Sequence, residues 1–459
     1  MLFRSGKGRL AGALSAGTSR QPKVPESHRK ENAFMKKCCK NVNILADDFI
    51  EDPIYEALDE KWKRPDVAKY LHGRTSSMSL QAMKRLLRDT DERDLMVSGL
   101  IRTVAESLRY EIQNRELKVE PIQYGWRRDG INGKLREIGV ESVKQLILDE
   151  IASEGLDELW RRKLGYHQYA SIKGKGQLGG KRAIEHQIRK KYAQSRYAWK
   201  GDVRKCYPSV DIRKLKRMLE HDVKNEVLLY LVFFLIGTYK QGLNIGSGLS
   251  QFLCNYYLSK AYVYVLSLHK TRKHRDGTTE SKRLVFFCIF YMDDILLIGA
   301  READVKRAAR ALEKYLLKEY GLTIKPDADL FPIDYRIKTG YKYENYREKD
   351  KAERRGKPID MMGYVIYRDH TEIRSKIFLR ARRAYSVAWY CMKDGVEIPL
   401  EIAYKCISYY GWFKHTDSKY VKDKYNIDAV CAAAKRRISK HAKSEIHGTS
   451  ARSALAACQ

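Results

Sequence analysis

Acidic residues are scarce in this chain: 57 Asp and Glu face 89 Lys and Arg over 459 residues, for a formal net charge of +32. The cationic excess runs from end to end and is not gathered in a tail, as expected of a protein that cradles a polyanion along a groove. No apolar stretch approaches the roughly 18 residues of a membrane-spanning helix, so no membrane span is expected. The nine cysteines, at 38, 39, 206, 254, 288, 391, 406, 431 and 458, form no Cys-x-x-Cys spacing. Cys206, Cys254 and Cys288 lie in apolar segments, where a reduced, buried thiol is the expected role. That favours a reducing compartment, the cytoplasm. No internal repeat is apparent. Residues 1–37 hold only two acids, Glu26 and Glu31, which fits a transit peptide, a disordered basic arm or translation starting at Met35.

Against this background, two adjacent acids occupy an improbable place. Asp293 and Asp294 interrupt the apolar run Val285–Gly299. Two Asp residues can simply form a turn, but unpaired charge is costly inside apolar sequence. The run is too long for one strand, so it reads as two strands with the acids at a tight turn. A divalent cation is the usual neutraliser of such a pair. A third acid, Asp202, ends a short strand before a turn closed by Pro208. Two metals roughly 3.5–4 Å apart need three or more carboxylate oxygens plus substrate phosphates, and Asp202, Asp293 and Asp294 can supply them. Between these acids, Gly242, Gly246 and Gly248 precede an apolar helical pattern, where small residues permit close backbone approach to a nucleotide or template.

Carboxylate strand, Gly/Ser loop with helix, and carboxylate hairpin, in that order, resemble motifs A, B and C of a reverse transcriptase palm. Asp202 and Tyr207 have the motif A spacing. The resemblance spans roughly Asp59 to Lys424. Asn132–Val140 and Tyr169–Gln177 resemble fingers blocks, and Tyr320–Pro326 resembles motif D. Asp360–Tyr367 resembles the primer-grip hairpin, and Ser408–His415 the thumb signature of bacterial enzymes. Motif B departs from the usual pattern: Ile245 stands where Gln is common and Gln251 where Pro is common. This resembles diversity-generating retroelement enzymes and related bacterial, defence-associated lineages. In the retroelement enzymes such an aliphatic residue accompanies error-prone copying of adenine.

The resemblance implies an α+β right-hand polymerase fold, with fingers, a palm built on an antiparallel sheet, a helical thumb and an N-terminal helical extension. The expected divisions are a basic arm (1–37), helices (38–116), fingers (117–200), palm (201–370), thumb (371–445) and tail (446–459). The basic insertion at 269–283 is an exposed hairpin or loop, either touching nucleic acid or merely solvated, and 336–357 is a charged, mobile stretch.

The implied roles follow motif by motif. Asp202, Asp293 and Asp294 are the catalytic ligands of two Mg²⁺ ions, with Mn²⁺ as a substitute, and Val203 adds a backbone carbonyl. Lys134 and Arg136 clamp triphosphate oxygens, Tyr207 is a steric gate against ribonucleotides, and Ile245, Gly246 and Gln251 face the nucleotide. Lys325 protonates pyrophosphate or is a surface lysine. Tyr291, Met292, Gly363, Lys414 and His415 contact primer or template, although His415 fits a packed thumb residue equally well.

The implied activity is RNA-directed DNA synthesis from dNTPs on an RNA template, giving a cDNA product. Two roles fit a bacterial or phage-encoded enzyme: antiphage defence with a dedicated noncoding RNA, or retroelement mutagenesis with a small accessory protein. A homo-oligomer is also compatible. An RNA-dependent RNA polymerase would place a second Asp where Tyr207 stands. A group II intron protein would differ in motif B and carry a Cys/His-rich nuclease module after the thumb. A palm-fold RNA binder without catalysis would have no need of all three acids.

Overall fold

The computed structural model describes residues 37–75, 78–88, 90–128, 133–172 and 174–456. The N-terminal arm and Asn132 lie outside them. The chain divides into two compact units between Lys357 and Pro358.

The first unit opens with four helices: α1 (Asp47–Leu58), α2 (Pro65–His72), α3 (Leu80–Leu86) and α4 (Thr90–Gln113). Pro65 begins α2, where its missing N–H costs nothing, and the Ser79 hydroxyl caps α3. Ile50, Ile54, Leu71, Met83, Val104 and Leu108 are buried in one core.

A hairpin of β1 (Gln123–Arg128) and β2 (Leu135–Val140) follows, with Arg127 opposite Arg136. Next come α5 (Val143–Gly155), buried on nearly every side, and α6 (Asp157–Lys163). The two-residue strand β3 (Gln168–Tyr169) leads to the basic helix α7 (Gln177–Lys190).

The strand β4 (Tyr197–Asp202) precedes the helices α8 (Ile212–Asp222), α9 (Glu226–Gly237), α10 (Gly248–Tyr257) and α11 (Ser259–Ser267). The insertion is an antiparallel hairpin, β5 (His269–Lys273) with β6 (Thr279–Arg283), which exposes Arg272, Lys273, Arg275 and Arg283. Then β7 (Phe287–Tyr291) and β8 (Asp294–Gly299) form the apolar hairpin expected from the sequence.

Helix α12 (Glu302–Tyr320) ends at Gly321, whose φ of +63° suits a left-handed cap. Strand β9 (Asp329–Pro332) completes a five-stranded sheet in the order β3-β7-β8-β4-β9. Residues 287–290 and 295–298 are buried on both faces, so the strands read as continuous apolar runs rather than alternating ones.

The charged stretch at 336–357 is more ordered than its composition suggests. There β10 (Tyr335–Arg336) pairs with β11 (Arg354–Arg355) around α13 (Tyr346–Glu353). Arg354 bridges Asp334 at 2.7 Å and Asp350 at 2.9 Å, and Arg336 meets Asp350 at 2.6 Å. Opposite charges here close a loop rather than repel it.

The second unit begins with a three-stranded meander of β12 (Ile359–Met361), β13 (Tyr364–Ile366) and β14 (Thr371–Ile373). Met362 and Gly363 both have positive φ (+55° and +84°), the signature of a type I′ hairpin turn. Four helices follow: α14 (Ser375–Lys393), α15 (Leu400–Lys414), α16 (Lys419–Lys424) and α17 (Ile427–Ala456). Their core holds Tyr385, Phe413 and Val430. The last helix includes residues 446–456, which were expected to belong to a tail.

One ion pair is fully inside the first unit. Lys163 is 1 % exposed and donates to Asp222 Oδ1 at 2.9 Å, while the Tyr256 hydroxyl donates to Oδ2 at 2.7 Å. Removing one member of such a pair strands a buried charge. Lys163→Met is therefore expected to lower unfolding free energy by about 3–5 kcal/mol, read from denaturant midpoints, and adding Asp222→Asn should recover part of it. A loss below about 1 kcal/mol, the surface-pair range, would mean that the pair contributes little.

Candidate active site

Register brings the acids together. In the antiparallel β4–β8 pair Asp202 stands directly opposite Asp294. The two-residue turn Met292–Asp293 joins β7 to β8, and the Val203 N–H donates to the Asp293 carbonyl at 2.9 Å. Asp202, Val203, Asp293 and Asp294 thus share one end of the sheet.

The chain after α12 returns to the same end. The Lys325 N–H donates to the Asp202 carbonyl at 2.8 Å, and Lys325 Nζ donates to Asp202 Oδ2 at 2.7 Å. Lys200 Nζ lies 3.6 Å from Asp294 Oδ1. The hydrogen bond with Asp294, reinforced by Lys325, holds the Asp202 carboxyl below its ordinary range against the effect of burial. Burial, the hydrogen bond with Asp202 and the neighbouring negative charges push Asp294 up. Burial likewise raises Asp293, with Asp202 adding to it, while Lys325 and Arg136 oppose the shift. The environments of the two facing carboxyls thus push them in opposite directions, Asp202 down and Asp294 up.

Do these residues suit a divalent metal? The donor set is all oxygen, which matches a hard cation. The carboxylates are partly buried, and Asp202 raises the proton affinity of Asp293 and Asp294, so a cation would relieve them. Among the described residues, however, no three acidic, imidazole or thiol side chains are gathered as a ready ligand cluster. Asp202 and Asp294 instead face each other across a shared hydrogen bond, with Lys325 on Asp202. A metal held by Asp202, Asp293 and Asp294 would take over the neutralising role of the Lys325 ammonium on Asp202.

Tyr207 opens the helical turn Tyr207–Ser209 after β4, and its hydroxyl meets Met292 Sδ at 3.7 Å. Gly242 has φ +56°, and a Cβ there would lie 2.4 Å from the Tyr207 carbonyl. At Gly246, with φ +131°, a Cβ would lie 2.6 Å from the Gly139 carbonyl, and the Gly139 N–H donates to the Ile245 carbonyl at 3.1 Å. These two glycines admit protein backbone, from the Tyr207 turn and from β2, where the sequence suggested nucleotide or template. A Cβ on Gly248 would meet nothing within 4 Å. Gln251, on α10, accepts a hydrogen bond from the Ser171 hydroxyl, while Asn255 Nδ2 holds the Ala170 carbonyl at 3.0 Å. Ala170 and Ser171 both have positive φ, so two side chains of α10 pin a kinked fingers segment.

The remaining expected site residues are more scattered. Lys134 and Arg136 are exposed on the β1–β2 hairpin, with Arg136 within electrostatic reach of Asp293. Tyr291 ends β7 and hydrogen-bonds Gln177. Gly363, Lys414 and His415 belong to the second unit. There a Cβ on Gly363 would strike the Trp412 ring at 2.4 Å, Lys414 is exposed and His415 is half-buried. The seating of Trp412 against Gly363 and Tyr364, with ring centroids 4.8 Å apart, was not evident from the sequence. Nor was the grip of Lys325 on Asp202, although its position within the motif D block was visible.

With this geometry in hand, residues 126–327 match the family described as reverse transcriptase (RNA-dependent DNA polymerase). They form a reverse transcriptase domain. The helices and antiparallel sheets around that domain fit the right-hand polymerase fold. No curated protein matches it. Similar solved structures include telomerase from Candida albicans in complex with a TWJ fragment of telomeric RNA, at 13% identity and TM-score 0.34, covering 73% of this chain. The chain spans 64% of the length of that protein. Apo telomerase from Candida tropicalis is similar at 12% identity and TM-score 0.38, covering 84% of this chain and 80% of the other. A form of it truncated from the C-terminal domain gives 12% identity and TM-score 0.33, covering 66% and 71%. Among the described residues no helix is long and apolar enough to cross a membrane.

The contact between the Tyr207 hydroxyl and Met292 ties the ring to the acidic turn. If the ring stands over the sugar, Tyr207→Ala should raise ribonucleotide use by tenfold or more, roughly one lost steric clash. Single-nucleotide kinetics with dNTP and rNTP will measure it, and an unchanged preference would argue against the gate.

Proposed function

We propose that this chain copies an RNA template into cDNA by two-metal nucleotidyl transfer, with Asp202, Asp293 and Asp294 as the metal ligands. The observation that carries the reading is the pairing of Asp202 with Asp294 across β4–β8, with Asp293 in the adjoining turn. When bound, Mg²⁺ would lower the pKa of the primer 3′-hydroxyl and offset charge on the triphosphate and departing pyrophosphate. Lys134 and Arg136 would hold triphosphate oxygens as charged donors. Lys325 orients Asp202 and stands ready to donate a proton to the leaving group. Tyr207 would exclude a 2′-hydroxyl. The overall charge and the exposed cations of the β5–β6 hairpin support RNA as the partner.

Asp293→Asn combined with Asp294→Asn is expected to abolish Mg²⁺-dependent dNTP incorporation, a loss of at least 10³-fold (roughly 4 kcal/mol). The melting curve and RNA affinity should stay near wild type. DNA synthesis by the double variant would refute the metal assignment, and inactivity of the wild type would leave an RNA-binding palm.

For the biological role we infer antiphage defence with a dedicated noncoding RNA. The supporting features are the N-terminal helices, the basic insertion and Trp412 following Gly411. Error-prone retroelement mutagenesis is the alternative, supported by Ile245 and Gln251 in motif B. Sequencing the RNA and cDNA that copurify from the native host separates them. One structured RNA with a cDNA of fixed ends is expected. A template repeat copied with adenine-specific errors would favour the alternative.

A further inference from the structure

Away from the catalytic acids lies a second acidic pair, and it is more deeply buried. Glu141 is 5 % exposed and Asp149 3 %, one just beyond β2 and the other in the middle of α5. The groups that meet them are uncharged. Ser247 Oγ donates to Asp149 Oδ2 at 2.5 Å, and Tyr239 shares a hydrogen bond with the same hydroxyl at 3.1 Å. Asn244 Nδ2 donates to Glu141 Oε1 at 2.9 Å and reaches the Gly139 carbonyl at 3.3 Å. The two carboxyl groups also bond each other, and their oxygens without other partners are Asp149 Oδ1 and Glu141 Oε2. A single proton between them would satisfy both. Burial raises both groups, Asp149 the more strongly because the Glu141 charge adds to it.

The location of the pair is what gives it a consequence. Ser247 caps α10, accepting from the Ser250 N–H, and Ser250 Oγ accepts from the Asn244 N–H. The acids therefore grip both ends of the Asn244–Ser247 loop, whose middle is Ile245–Gly246. They also fix the end of β2, the strand that carries Arg136. An acid pair buried without a cation is costly. A purely packing role would be met at least as well by apolar residues.

We propose that Asp149, through Glu141, is a positioning residue for nucleotide selection: it sets the register between the Ile245–Gly246 loop and β2 without touching the nucleotide. This rests on the reverse transcriptase reading of the site. Asp149→Ala or Ser247→Ala should raise KM for dNTP and the misinsertion frequency by roughly tenfold each, the scale of a small misplacement of a binding group. Maximal incorporation rate, RNA affinity and Mg²⁺ dependence should stay within about twofold. The double variant should be no worse than the more defective single one. Asp149→Asn should restore wild-type behaviour, because its carbonyl accepts from Ser247 and its amide donates to Glu141.

Wild-type incorporation in the same assay stands as a separate check on the polymerase reading. Unchanged KM and error spectrum in Asp149→Ala, or in Ser247→Ala if the former does not fold, would overturn the positioning role. So would additive defects, or failure of Asp149→Asn to restore selectivity.

Discussion

Everything at the acidic end of the sheet depends on forcing two like charges to face each other. Directly opposed acids on neighbouring antiparallel strands destabilise a sheet, and here Asp202 and Asp294 do so beside strands that are otherwise apolar. The register cannot slip to relieve them. A one-residue shift would turn every side chain of β4 and β8 to the opposite face. The apolar contacts of residues 295–298 therefore hold the acids in place, and the local structure is arranged to tolerate them. Lys325 is delivered by the left-handed cap at Gly321 and by backbone pairing beside Asp202. Lys200 comes from β4 itself.

The second constraint is backbone proximity. The Tyr207 turn, the loop before α10 and β2 meet through peptide groups at Gly242, Gly246 and Gly139, where side chains would collide. Elements far apart in sequence are thereby locked at fixed separations. Side-chain packing alone would leave them softer. It also explains why polar side chains, Asn244, Ser247 and Gln251, do the fastening: in such narrow gaps a hydrogen bond supplies direction as well as attraction.

Legibility in the sequence followed the same physics. The hairpin around Asp293 was visible because a solvated turn has no reason to be flanked by so many apolar residues, and Asp202 because it ends a short strand before Pro208. The basic insertion declared its exposure and left hairpin and loop both open, since Lys and Arg carry little strand preference. The meander at 359–373 was recognised only by resemblance. Its dependence on Trp412 is a tertiary contact without local trace. The buried acids were missed for a different reason. Gln145, Asp149 and Ser153 recur every four residues along α5, a polar stripe on a helix that also carries Lys144, Glu150 and Glu154 among its apolar residues. Read by hydropathy, such a stripe means a solvent-facing side. Here all three residues are buried, and the stripe faces hydrogen-bonding partners instead.

The turn at Met292 shows how strain and site are connected. The first central position of a two-residue hairpin with positive φ normally belongs to glycine, yet Met292 adopts φ +54°. For a residue with a Cβ this conformation costs about 1–2 kcal/mol. Glycine would relieve that cost and would also remove a side chain that is 9 % exposed and touches the Tyr207 hydroxyl. Methionine is unbranched and polarizable, so it can fill an irregular gap between a phenol ring and a carboxylate turn. The strain is retained because relieving it would uncouple the Tyr207 ring from the acids. For the steric gate proposed at Tyr207, the thioether is the contact that would hold the ring at a fixed distance from the acidic turn.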